Sequence, residues 1–133
     1  MIRVRNGARF SKGDPMDEVK AFIRNRKAEE VVDALEAEGF CCMTLINVMG
    51  LGRISDPEEA RLSVRIAERF SDIAKLVVVC RDEHTQQVVN IICEYARSGQ
   101  PGDGIVYVTP VRQTIHIRTG ETGGDFLQMK RVE

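Results

Sequence analysis

Ala74-Lys75-Leu76-Val77-Val78-Val79-Cys80 carries a single charge, is closed by Arg81-Asp82-Glu83, and gives way to a segment of different period. So short a run of aliphatic and β-branched residues, ended by charges, reads as a strand. From 84 to 97 the apolar residues Val88, Val89, Ile91, Ile92 and Tyr95 fall at helical spacing, which predicts a helix with that stripe buried. Ser98-Gly99-Gln100-Pro101-Gly102-Asp103-Gly104 follows as a loop, and Ile105-Val106-Tyr107-Val108-Thr109 as a second strand. The half of the chain built outward from residue 74 is therefore strand, helix, strand.

The same order stands upstream. Val19-Lys20-Ala21-Phe22-Ile23-Arg24 is short, apolar and bounded by polar residues, so it reads as a strand. Residues 28–38 place Val31, Val32 and Leu35 on one helical face and Glu29, Glu30 and Glu36 on the other, with Gly39 as the stop. Cys41-Cys42-Met43-Thr44-Leu45-Ile46-Asn47-Val48 reads as a buried strand, and residues 50–72 then break the rhythm. Residues 114–118 supply a last strand. Strand, helix, strand, interruption, strand, helix, strand is the split β-α-β pattern of an α+β, ferredoxin-like βαββαβ sandwich with a long loop after the second strand. Apolar strands on both sides of that loop imply that it leaves from one end of the sheet.

A chain of 133 residues suits one domain with a real core. The first fifteen residues stand apart: Arg3, Arg5, Arg9 and Lys12 face one acid, Asp14, and Gly13-Asp14-Pro15 marks a turn. Residues 1–15 are thus a basic N-terminal extension, read most simply as a solvated arm or a short added strand, and 16–133 form the domain. The formal net charge of −1 gives no general footing for nucleic acid. No apolar run approaches the roughly 20 residues a membrane helix needs, and residues 1–7 lack the apolar stretch of a secretory signal. A cytoplasmic protein, not embedded in a membrane, is expected. Adjacent Cys41 and Cys42, with Cys80 and Cys93 in apolar runs, suggest buried thiols and no disulfide framework. With His84 and His116 the only histidines, no metal site is expected.

Two segments carry candidate chemistry. Gly99, Gly102 and Gly104 permit positive φ and allow backbone N–H groups to approach a ligand, so the loop can form an anion nest; a helix cap followed by a tight turn fits it equally. In Ile115-His116-Ile117-Arg118-Thr119-Gly120-Glu121, strand alternation sets His116 and Arg118 on one face, and an arginine fork suits phosphate. A plain solvent-facing strand fits as well.

In this order and spacing the two segments, together with Val48-Met49-Gly50-Leu51-Gly52-Arg53, resemble the PII signal-transduction family over residues 16 to about 123. The resemblance implies a regulatory protein rather than an enzyme, a homotrimer with an adenine nucleotide in clefts between subunits and no prosthetic group. By matching position it implies nucleotide contacts from Thr44, Gly50, Gly52, Arg53, Gly102, Asp103, Gly104, His116 and Arg118. It also implies docking of a transporter or enzyme, in nitrogen metabolism, through the loop at 52–70, where Arg61, Arg65 and Ile66 offer contacts. That loop has conflicting patterns: Ser55-Asp56-Pro57-Glu58-Glu59 is a helix start, yet Ala60, Leu62, Val64 and Ile66 alternate as in a strand. Its mixture of arginines and aliphatics suits protein contact better than DNA contact.

The departures from the family carry equal information. Ile54 replaces a magnesium-binding glutamine, and Ile73 a lysine that pairs with 2-oxoglutarate, so neither magnesium nor 2-oxoglutarate is expected as a ligand. Ile66 replaces the tyrosine that many bacterial relatives modify, which excludes uridylylation there. Ile105 and His116 replace two phosphate-binding cations, which moves preference from ATP toward ADP or AMP. A histidine restores charge only when protonated, making binding pH-sensitive. Two other classes remain open: a small ferredoxin-like phosphatase, for which no nucleophile–base pair is evident, and a trimeric structural module that no longer binds nucleotide.

Overall fold

The computed structural model describes residues 15–50 and 71–124. Along them run β1 (Met16–Arg24), a 3-10 turn (Asn25–Lys27), α1 (Ala28–Ala37), β2 (Met43–Gly50), β3 (Ser71–Arg81), α2 (Asp82–Ala96) and β4 (Ile105–Val111). The strands make one antiparallel sheet in the order β2-β3-β1-β4. This is the expected ferredoxin-like βαββαβ sandwich, with the helices following strands one and three.

Local chemistry explains the element ends. Glu29 and Glu30 in α1, and Asp82 and Glu83 in α2, set negative charge against the positive helix N-terminus. α1 closes on Gly39 at φ 90, with Gly39 N–H donating to the Glu36 carbonyl (2.9 Å) and Phe40 N–H to that of Leu35 (3.0 Å). That pair of bonds is a Schellman cap, and buried Phe40 is the apolar residue that accompanies it. α2 starts two residues earlier than the sequence pattern suggests, its Asp82 N–H bonded to the Pro15 carbonyl at 3.1 Å.

The core lies between the helices and one sheet face. Val19, Ala21 and Ile23 of β1 and Ala74, Leu76 and Val78 of β3 meet Val31 and Leu35 of α1 and Val88, Ile92 and Ala96 of α2, all buried. Each large aliphatic side chain closed off from water there contributes about 1.5–3 kcal/mol. Val89 and Ile91 pack against this cluster as expected, but Tyr95 is 41% exposed, one position before Ala96, which completes the buried stripe of Val88 and Ile92.

Two further expectations are corrected. β2 is an edge strand rather than a buried one, with Leu45, Ile46 and Met49 at 47%, 46% and 70% exposure. Its apolar composition is burial chemistry without a covering layer among the described residues. β4, the opposite edge, shows Ile105, Tyr107 and Val108 at 40–47% exposure and admits Pro110, which an interior strand does not tolerate. Of the cysteines only Cys80 is buried; Cys42 is partly covered, and Cys41 and Cys93 are exposed. All four thiols are free.

Candidate functional site

The glycine loop is held by a part-buried ion pair reaching up from β1. Arg24, the last residue of that strand, is only 6% exposed. Its Nε donates to Asp103 Oδ1 at 3.3 Å and its Nη2 to the Pro101 carbonyl at 2.6 Å. The Asp103 carboxylate also accepts from the Ser98 and Gly99 N–H groups, each at 2.9 Å, and from the Ser98 hydroxyl. One carboxylate thus ties together the exit of α2 and the end of β1, while Gly99, Gly102 and Gly104 take φ of 85, 96 and 101. Asp103, read from sequence as a ligand contact, spends its side chain on the loop itself. With the Gln100 N–H donating to the Ser98 hydroxyl at 3.2 Å, the first three N–H groups of the loop are taken up within it.

This arrangement sets an acid limit. Partial burial works to raise the Asp103 pKa, but the bonds from Ser98, Gly99 and Arg24 outweigh it and bring the carboxyl from 3.8 down to about 2. A depressed carboxylate stabilises the fold above its unfolded pKa and ceases to do so as pH falls through the folded one. The amide protons of Ser98 and Gly99 should therefore keep their exchange protection down to pH near 4 and lose it between there and about 2. Hydrogen exchange followed by NMR checks this.

Residues 114–118 do not form the expected strand. Ile115 makes an isolated bridge to Thr122, and the chain between them reverses, with His116 N–H donating to the Glu121 carbonyl (2.8 Å) and Gly120 N–H to that of His116 (2.7 Å). Positive φ at Gly120 and Gly123 makes the reversal possible, and Thr114 Oγ1 closes it on the Gly123 carbonyl at 2.7 Å. The face shared by His116 and Arg118 is therefore a turn surface rather than a strand face. Thr119 Oγ1 accepts from Glu121 N–H (3.2 Å) and lies 3.1 Å from His116 Nδ1, which fixes the ring. Arg118 is exposed, with no ion pair to a described residue.

The sheet sorts the described candidates into two groups. Gly50 ends β2 opposite Ser71, and the glycine loop enters β4 at Ile105 opposite Phe22, so both lie at the end of the sheet from which the long loop leaves. The turn bearing His116 and Arg118 follows β4 at its other end, where Val111 pairs with Met16, about 20 Å away along the strand. Thr44, exposed near the start of β2, lies between the two: its partner Val77 pairs with Lys20, two residues from Phe22 and four from Met16. One chain therefore sets the glycine loop and the turn bearing His116 and Arg118 at opposite ends of β4. Gly52, Arg53, Ile54, Arg61, Arg65 and Ile66 lie outside the described residues. Arg24 was missed by sequence reasoning, because its partner stands 79 residues away and no local pattern marks the pair.

Residues 16–121 match the family of the nitrogen regulatory protein P-II. The chain belongs to that family. Among P-II relatives, the one from Microchaete diplosiphon is 37% identical over 106 residues, covering 80% of this chain and 95% of its own length. That from Azospirillum brasilense is 34% identical over 110 residues, covering 83% and 98%. A GlnB-like protein of the nitrogen fixation nifHD1 region of Methanosarcina barkeri is 34% identical, covering 81% and 99%. In three dimensions the chain is similar to the crystal structure of Arabidopsis thaliana PII bound to citrate, with a TM-score of 0.70, 29% identity, and coverage of 86% of this chain and 94% of that one. P-II membership places the chain among regulatory proteins rather than enzymes.

Among the described residues no three histidine, cysteine, aspartate or glutamate side chains come together as a metal set, and no helix is long and apolar enough to cross a membrane. A cavity of about 320 Å³ beside the glycine loop is lined by Ile23, Val89, Ile92 and Val106 together with Arg97 and Asp103.

Proposed function

We propose that this chain is a trimeric P-II-type sensor that binds an adenine nucleotide between subunits and controls a partner protein of nitrogen metabolism through residues 52–70. The observation that carries this reading is the separation of the glycine loop from the turn bearing His116 and Arg118, at opposite ends of β4. The glycine loop and Gly50 of one subunit, set against Thr44, His116 and Arg118 of the next, complete a site that one chain leaves open. The exposed aliphatics of β2 and β4 support association through the sheet, since apolar edges of this kind need covering. Phe22 and Tyr107, stacked at 6.1 Å on the helix-free face, add aromatic surface to the same association.

The phosphates would lie on the N–H groups of the glycine loop, with Arg118 supplying the charge. Ile105, 47% exposed at the start of β4, offers no cation there, and His116 offers one only when protonated. Each missing charge-assisted hydrogen bond is worth about 1.5–3 kcal/mol, so ADP or AMP should bind better than ATP. Ile73, buried at 3% exposure, gives 2-oxoglutarate no positive partner. Four free thiols suit a reducing compartment, and a cytoplasmic location belongs to this reading.

Calorimetric titration with ATP, ADP and AMP, each with and without magnesium and 2-oxoglutarate, tests it beside light scattering for the trimer. Saturable binding of ADP or AMP by a trimer is expected, abolished by Arg118→Ala. A trimer that binds no nucleotide would leave a structural module; a 2-oxoglutarate requirement would refute the role given to Ile73.

A further inference from the structure

Cys41 and Cys42 stand between the cap of α1 and the start of β2, with their Sγ atoms 3.6 Å apart and Cys41 exposed. Cys80 is occupied differently, buried beside the Thr85 hydroxyl, and Cys93 lies on α2. We propose that the Cys41–Cys42 pair is a two-sulfur binding site for a trivalent arsenical, either arsenous acid or a monosubstituted R–As(OH)₂.

Three observations select that ligand class over the other species that thiols take. The first is the bite. With a metal–sulfur bond of about 2.3 Å, sulfurs at 3.6 Å subtend an angle of about 103° at a shared ion. A linear two-coordinate ion would need them about 4.6 Å apart on the same bond length, so linear coordination is disfavoured. The second is the donor count. Zinc and similar divalent ions want four ligands, and no third histidine, cysteine or acid joins the pair among the described residues. Trivalent arsenic is satisfied by two sulfurs and the one oxygen or carbon it already carries.

The third is the proton. Burial, together with the hydrogen bond and charge of Cys41, pushes the Cys42 thiol up to about 11. A divalent cation must expel both thiol protons into solution, which that shift opposes. Arsenous acid need not: As(OH)₃ + 2 RSH gives (RS)₂As–OH + 2 H₂O. Two S–H and two As–O bonds break, two S–As bonds form, both protons leave as water, and arsenic stays trivalent. Disulfide formation does not compete well. Adjacent Cα atoms stand about 3.8 Å apart across a trans peptide, below the roughly 4.4 Å that an unstrained disulfide spans.

Intact-mass spectrometry of the reduced full chain with phenylarsine oxide tests the site without reference to nucleotide. The expected product is one phenylarsenic group per chain with loss of one water, retained against excess glutathione and removed by a dithiol. Cys41→Ser and Cys42→Ser should each lower retention about a hundredfold or more, the loss of a two-point attachment, while Cys93→Ser leaves it unchanged. Retention that survives either serine at 41 or 42, an adduct stripped by glutathione, or tighter capture of zinc than of the arsenical would overturn the proposal.

Discussion

Replacing Gly104 with alanine should destabilise the fold by about 3 kcal/mol or more, the largest effect expected of any single methyl group in this chain. Gly104 sits at φ 101, a conformation that a residue with a Cβ rarely adopts, and its new Cβ would stand 1.7 Å from the Phe22 carbonyl oxygen. The obstacle is backbone of β1, not the tip of a flexible side chain. Relief requires pulling β4 away from β1 where Ile105 pairs with Phe22, at the entrance to the edge strand. Gly99 is the internal control: its φ is 85, but nothing lies within 4 Å of its would-be Cβ. Gly99→Ala should cost only the backbone strain, about 1–2 kcal/mol. Urea unfolding of the two variants separates the effects, and equal midpoints would mean that close approach of the strands is not what requires glycine at 104.

Much of this fold was legible because it obeys local rules. The β3 run, the α1 stripe and the Gly39 cap each state their structure within a few residues. The failures have a common cause, which is that burial and pairing depend on neighbours. Thr114-Ile115-His116-Ile117-Arg118 alternates as a strand does, but β4 has already taken the edge of β1, and Gly120 and Gly123 turn the segment back on itself. β2 reads as interior because both its faces are apolar, yet among the described residues it has a neighbouring strand only on the β3 side. Candidate residues can be named from the sequence, but not their arrangement. Nothing in the sequence indicates that the glycine loop and the turn at 116–120 occupy opposite ends of one strand. Nor does it separate a carboxylate that holds the loop from one that meets a ligand.

That last distinction yields the second large effect. Asp103→Ala should destabilise the protein by about 2–4 kcal/mol and weaken any anion on the glycine loop, although the Asp103 side chain need not touch it. The substitution leaves the Ser98 and Gly99 N–H groups and the Ser98 hydroxyl without their acceptor, and it removes the carboxylate from beside the nearly water-free Arg24 guanidinium, which keeps its bond to the Pro101 carbonyl. Taking the countercharge from a buried guanidinium is the heavier loss, so Arg24→Met combined with Asp103→Ala should cost less than the sum of the two single changes. Asp103→Asn sharpens the case: an amide retains one acceptor oxygen for the loop N–H groups but turns an N–H₂ and no charge toward Arg24. It should fall between wild type and alanine in stability. A double-mutant cycle by chemical denaturation, run beside ADP titration of each variant, measures both effects. Additive stabilities would show that Arg24 and Asp103 act independently. Full stability with lost binding in Asp103→Asn would return the carboxylate to the ligand.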